Sequence, residues 1–190
     1  LNNTDEANRY KLKKETVKQT LVNTFWNGDY FNDWVNNGTV KQTLSMEANM
    51  LAILFNITNE SQTKSILDYI INNNVITKHG APVVYKSYKL TDIYTPFLFV
   101  GLTDYQNGLI WLWISCLVIV AMHKNGYQNQ ALELFNKISI LIVNHDTAYE
   151  VYTQKGKPVN RLFYKSEKGF AWTSGLFVWA YHQCELSSDS

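Results

Sequence analysis

The run LIWLWISCLVIVAM, from Leu109 to Met122, contains no charged residue. A helix with an apolar stripe can turn its other side to water, but this one has no such side, so the chain has to surround it. The run is shorter than the roughly 20 residues that cross a bilayer, and His123 with Lys124 closes it. A helix buried on all sides is therefore expected, packed by neighbours on one flank and facing a lined cavity on the other. A chain of 190 residues and 22.0 kDa can supply that surround as a single domain over 1–190, or as a portion of a larger one.

The helices to do so are legible. A charged segment at about Asp5–Val22 follows Thr4, a candidate N-cap, and its charge places it on the outside. Ser45 is set to cap MEANMLAILFN, where Met46, Met50, Ile53, Leu54 and Ile57 keep the helical period. ESQTKSILDYIIN puts Ile66, Tyr69, Ile70 and Asn73 near one face. After the buried run Gly126 reads as a stop, and QALELFNKISILIV follows with a stripe of Ala131, Leu134, Phe135, Ile138, Leu141 and Ile142. A last segment covers about Phe170–Cys184. These segments come in pairs joined by aromatic, glycine-bearing or polar linkers, so the expected fold class is all-α. One linker is long: APVVYKSYKLTDIYTPFLFVGLTDYQNG carries Pro82, Pro96, β-branched residues and aromatics, and reads as an irregular loop with short extended pieces. A loop of that length in a compact domain is usually functional.

Charge narrows the choice of partner. With 17 Lys+Arg against 16 Asp+Glu the formal net charge is +1, which gives no electrostatic case for nucleic acid or an anionic membrane. A neutral ligand fits better, and the 14% of aromatic residues, gathered near Gly and Asn, suits stacking on sugars. Cys116 and Cys184 lie in apolar helical patterns and read as small buried hydrophobes. His79, His123, His145 and His182 show no metal-ligand spacing, so neither a metal nor a cofactor is expected. Sequons begin at Asn2, Asn37, Asn56 and Asn59, weak signals in an Asn-rich chain that leave the compartment open. The chain opens on Leu1 with no signal-peptide pattern, and reads as cut from something longer.

Chemistry concentrates in AYEVYTQKGKPVNRLFY, Ala148 to Tyr164. Glu150 stands between Tyr149 and Tyr152 just past an apolar helix, and a loop with Gly156 and Pro158 brings a further ring, Tyr164. A carboxylate partly desolvated among rings is what a tuned base requires, although a surface glutamate at a helix end has the same local sequence. Trp26, Trp111, Trp113, Trp172 and Trp179 fit a core as readily as a sugar platform, with Trp111 and Trp172 the stronger platform candidates. Asn107-Gly108 fits a turn as readily as a sugar contact. Asp29, Asp33 and Asp104 default to solvated loop carboxylates.

Taken in order, YQNGLIWLW (Tyr105 to Trp113), Ala131 on the next helix, AYEVY with its Gly-Pro loop and EKGFAWTSGLFVWA (Glu167 to Ala180) resemble the C-terminal half of (α/α)6-barrel, six-hairpin glycosidases. The upstream FWNGDYFNDW and SMEANMLAIL are similar to the same group. This is the clan of trehalases, processing α-glucosidase and mannosylglycerate-hydrolase-like enzymes, neutral invertases and glycogen-debranching glucosidases. The resemblance implies a toroid of helical hairpins, here a partial barrel of about six helices, with a sugar pocket at one end. It implies inverting hydrolysis of a neutral α-glucoside or related sugar, on an oligosaccharide or small glycoside. It further implies Glu150 as the general base and Tyr105, Gln106, Asn107, Trp111, Tyr149, Phe170 and Trp172 as substrate contacts.

In such chemistry one carboxylic acid protonates the departing oxygen while a second carboxylate deprotonates water on the opposite ring face, the pair standing about 6.5–9.5 Å apart. The clan's acid is an Asp in the N-terminal half, upstream of this sequence. Two departures stand out. Trp111-Leu112 replaces the Trp-Pro pair of relatives, and the Gln-Trp-Asp of trehalases is missing near Gln106, so trehalose is not favoured. The alternative class is a non-catalytic carbohydrate-binding or helical scaffold module. An incomplete barrel would also tend to associate through exposed apolar faces.

Overall fold

The computed structural model describes residues 4–184. Helix α1, Thr4–Phe25, has no buried residue, as its charge requires, and Thr4 is its first helical residue and not the cap before it. A β-hairpin follows, β1 (Asn32–Asn36) and β2 (Thr39–Ser45), turning through Asn37 and Gly38 at φ 45° and 78°. Two successive left-handed residues match the twist of paired strands, which is why Asn-Gly favours this turn. Helical periodicity is blind to this hairpin, and Asn37-Gly38 is the signal in the sequence that could reveal it. A short β3, Val84–Tyr85, from the long linker completes an antiparallel sheet in the order β1-β2-β3.

Helices dominate the rest. Ser45 caps α2 (Met46–Leu54), its Oγ accepting from the Ala48 N–H at 3.4 Å. Helix α3 (Glu60–Asn72) starts in a capping box, Asn59 Oδ1 accepting from Gln62 N–H at 2.8 Å and Gln62 Oε1 accepting from Asn59 N–H at 3.0 Å. The linker is loop-like, as expected, but holds a 3₁₀ turn at Leu90–Asp92 and a short α4, Thr95–Phe99. Then come α5 (Leu112–Lys124), α6 (Gln128–Asn144), a two-residue ladder of β4 (Asn160–Arg161) and β5 (Tyr164–Lys165), and α7 (Ala171–Gln183). Among the described residues no helix is long and apolar enough to cross a membrane.

The buried run is buried, but its helix begins at Leu112 and not at Leu109. Ile110 is extended instead, exchanging main-chain bonds of 2.8 Å with Tyr152 in both directions and bridging Pro82 on its other side. From Leu112 to Met122 every residue of α5 is buried. Each large aliphatic side chain there contributes about 1.5–3 kcal/mol by leaving water, so α5 is the axis on which α2, α6 and α7 pack. Cys116 and Cys184 are free and buried, in keeping with their reading as small hydrophobes.

Helix direction decides where a site can form. Lys124 Nζ at the C-terminal end of α5 donates to Gln183 Oε1 at the same end of α7, at 2.6 Å, so the two helices run parallel. At the other end the starts of α2, α5 and α7 are laced by main-chain bonds: Met46 N–H to Val83 O (2.9 Å), Val83 N–H to Leu109 O (3.2 Å), and Phe170 N–H to Ala148 O (3.0 Å). Helix α6, entered by the tight turn at Gly126, returns antiparallel. The chain is thus a set of helical hairpins in which α2, α5 and α7 present their N-terminal ends at one rim.

Asp33 departs from the solvated default. It is half-buried on β1, and burial pushes its carboxyl up from the ordinary value despite a hydrogen bond with Ser45. Burial, then the charge of Asp33, does the same to Glu47. A carboxyl raised in the folded state costs nothing below its unfolded value of 3.8 and destabilises increasingly as pH climbs through its folded value. Asp33→Asn is therefore expected to raise the melting temperature at pH 7, with the gain shrinking to nothing as the solution is acidified below the ordinary carboxylate range. A gain that persists unchanged in acid would exclude this account.

Candidate active site

At the rim, the segment between α6 and α7 is held in place before any side chain is counted. Tyr152 pairs with Ile110, Val159 N–H donates to Val151 O (3.3 Å), Ser166 N–H donates to Val159 O (2.7 Å) and Glu150 N–H donates to Glu167 O (2.9 Å). Ser166 Oγ accepts from Val151 N–H at 2.9 Å. Main-chain bonds on both sides of residue 150 fix where its side chain starts.

The Glu150 carboxylate then meets two phenols. Tyr105 donates to Oε1 at 2.9 Å and Tyr164 donates to Oε2, while the Glu167 N–H makes a long contact of 3.5 Å with the same oxygen. Rings enclose the group: Tyr105 packs edge-on against Tyr164 (5.1 Å), Trp111 (5.1 Å) and Phe97 (6.5 Å), and Trp111 packs edge-on against Phe170 (6.5 Å). The Trp111 indole N–H donates to the Tyr105 carbonyl at 3.0 Å and is spent on holding the loop. Burial, and after it the bond to Glu150, pushes both phenols up from the ordinary tyrosine value, Tyr164 furthest. They remain donors throughout the neutral range. A carboxylate offers about four lone-pair sites, so a water can still bind where two phenols already do.

Behind the loop lies a second group. Tyr149 and Tyr152 rings flank His145, whose ring nitrogen meets Gly156 O at 3.1 Å, and the Tyr152 hydroxyl accepts from Tyr149 N–H at 3.0 Å. Gly156 has φ +72°, and a Cβ there would fall 2.6 Å from the His79 ring, so the loop closes only with glycine.

The structure thus gathers Glu150, Tyr105, Trp111 and Phe170 in one place and separates the other candidates. Tyr149 belongs to the His145 group. The Asn107 side chain is consumed by the loop: Oδ1 accepts from Tyr88 N–H (2.6 Å), and Nδ2 donates to Tyr88 O (3.1 Å) and Thr103 O (3.3 Å). It is a turn-former, the plainer of its two readings. Gln106 is exposed. Trp172 is 57% exposed and stacks on Trp113 at 4.7 Å and 20°, two residues beyond Phe170. Tyr164, part of the cluster, stands in the sequence only as a further ring, since nothing local shows that it folds back on Glu150.

Asp104 corrects its default most sharply. Its two oxygens accept from Arg161 Nη1 and Nη2, each at 2.6 Å, and Arg161 Nη1 also donates to Gly101 O at 2.5 Å. Beside this pair lies a hollow of about 680 Å³ with Asp104, Asn107, Gln154, Pro158 and Arg161 in its wall. None of the Glu150 ring cluster lines it.

A family model described as amylo-alpha-1,6-glucosidase matches residues 1–186 of the chain. No curated protein matches it significantly.

Proposed function

The chain belongs to the amylo-alpha-1,6-glucosidase family, a six-hairpin glycoside hydrolase family, and from that premise we propose that it carries the general base of an inverting glycosidase acting on a neutral α-glucoside. The observation that supports this most is the Glu150 carboxylate, oriented by the Tyr105 and Tyr164 hydroxyls within a cluster of rings at the rim. In the proposed reaction Glu150 takes a proton from water as that water attacks the anomeric carbon, and the bond to the leaving oxygen breaks on the other face. Apolar walls strengthen the charge interactions that develop there. Trp111 and Phe170 form the floor, and the exposed face of Trp172 is a platform for a sugar further out.

The acid that protonates the leaving oxygen is proposed to lie outside this sequence. Asp104 is committed to Arg161, and the described residues supply fewer hairpins than a six-hairpin toroid needs. The domain over 1–190 is accordingly proposed as the C-terminal portion of the catalytic toroid. Following α-glucosyl fluoride hydrolysis by proton NMR in the complete catalytic domain tests the mechanism: β-glucose should appear first. Initial release of the α-anomer would refute inversion.

A further inference from the structure

Resting on that reading of Glu150, we propose that the Asp104–Arg161 pair is a positioning clasp, which sets both tyrosine hydroxyls on the carboxylate by locking the β4–β5 hairpin to the turn that carries Tyr105. Asp104 immediately precedes Tyr105, and Arg161 is the cross-strand partner of Tyr164. The one ion pair therefore joins the two backbones from which the two phenols project. Asp104 is also the hub of its own turn, its carbonyl accepting from the N–H groups of Asn107, Gly108 and Leu109 at 2.9–3.1 Å. Whatever holds Asp104 holds the entry to α5.

The hairpin cannot hold itself. Each of its strands is two residues long, its tip residues Leu162 and Phe163 are 88% and 66% exposed, and Asn160 and Arg161 border the hollow of about 680 Å³. A two-stranded ladder of that size is unstable without outside support. Ser166 anchors the base of the hairpin through its bonds to Val159 and Val151, but the strand opposite Tyr164 is tied across to the 101–104 turn by Arg161. An ordinary exposed ion pair would be too weak to matter. This one is a two-bond fork with a third bond to Gly101 O, and its side chains are only 29% and 39% exposed. Such a fork fixes orientation as well as distance, and lysine cannot reproduce it.

The test is a tyrosine titration by NMR on this chain, with ¹³Cζ-labelled tyrosine and with Tyr105→Phe and Tyr164→Phe to assign the signals. In the unaltered protein both phenols should stay protonated beyond the ordinary tyrosine value of 10.0. Arg161→Gln and Asp104→Asn should each bring the Tyr164 midpoint down toward that value and Tyr105 with it, and Arg161→Lys should retain part of the displacement. Titrations of both phenols that match the unaltered protein in Asp104→Asn and Arg161→Gln, with circular dichroism unchanged, would overturn the clasp. This readout does not use catalysis, so the clasp stands or falls by it even where activity assays fail to support Glu150 as the base.

Discussion

Glu150→Gln, made in the complete catalytic domain, is expected to cut hydrolysis of α-glucosyl fluoride by about 10²- to 10⁴-fold, the range that a general base contributes, while binding of a glucose-type ligand is retained. Fluoride leaves with little protonation, so this substrate bypasses the general acid and isolates the base. The amide keeps the shape of the carboxylate and one oxygen for a phenol, but it cannot receive the proton of the attacking water. Loss of rate with binding preserved would therefore point to chemistry and not to a collapsed site. This chain on its own should turn over an ordinary glycoside negligibly, because the departing oxygen must then be protonated. Substantial hydrolysis by the Glu150→Gln protein, or robust turnover of an ordinary glycoside by this chain alone, would show the chemistry to be placed on the wrong residues.

The largest stability effect is expected from Gly80→Ala. Gly80 has φ +144°, a conformation that residues with a Cβ avoid, and the added carbon would fall 2.8 Å from Ile110 Cγ2 and 2.9 Å from Ser115 Oγ. Neither neighbour can give way. Ile110 is fully buried and paired with Tyr152, and Ser115 Oγ accepts the Ala81 N–H at 2.9 Å from inside α5. Backbone strain of about 1–3 kcal/mol and overpacking of about 1–3 kcal/mol together put the loss at about 4 kcal/mol. For a domain of this size that lowers the melting temperature by roughly 8–16 °C. A drop of only a degree or two would mean that the rim yields more readily than its bonding indicates.

Much of the helical frame can be read from the sequence because α2, α5 and α6 are governed by local signals: Ser45 as cap, the stop at Gly126, the stripe from Ala131 to Ile142. Periodicity fails where a tertiary partner decides the backbone. Leu109–Trp111 is as apolar as the helix it precedes, yet it is drawn into extended pairing by Pro82 and Tyr152. Glu150 can be singled out because rings flank it in sequence, but the rings that hold it, Tyr105 and Tyr164, arrive from other segments. Asp104 has the sequence of a solvated loop residue because its partner Arg161 lies 57 positions away. Asn107 is equally apt for a sugar or a turn, and only its three bonds to the backbone decide between them.

The lacing of the rim bears on how such a site can change over generations. Its stitches at Met46, Val83, Leu109, Ile110, Tyr152, Val159 and Ser166 run through main-chain atoms, which every amino acid except proline supplies in full. Side chains at most of these positions are free to drift as long as they stay apolar and fit, and the carboxylate keeps its address. Adding or deleting one residue inside an extended, stitched segment is another matter, since a slip of one position there turns every following side chain to the opposite face. Variation among descendants of this chain should therefore accumulate as substitutions within the rim segments, and as changes of length only where no stitch is crossed, at the exposed hairpin tip of Leu162 and Phe163 or in the stretch around Tyr94 to Phe99.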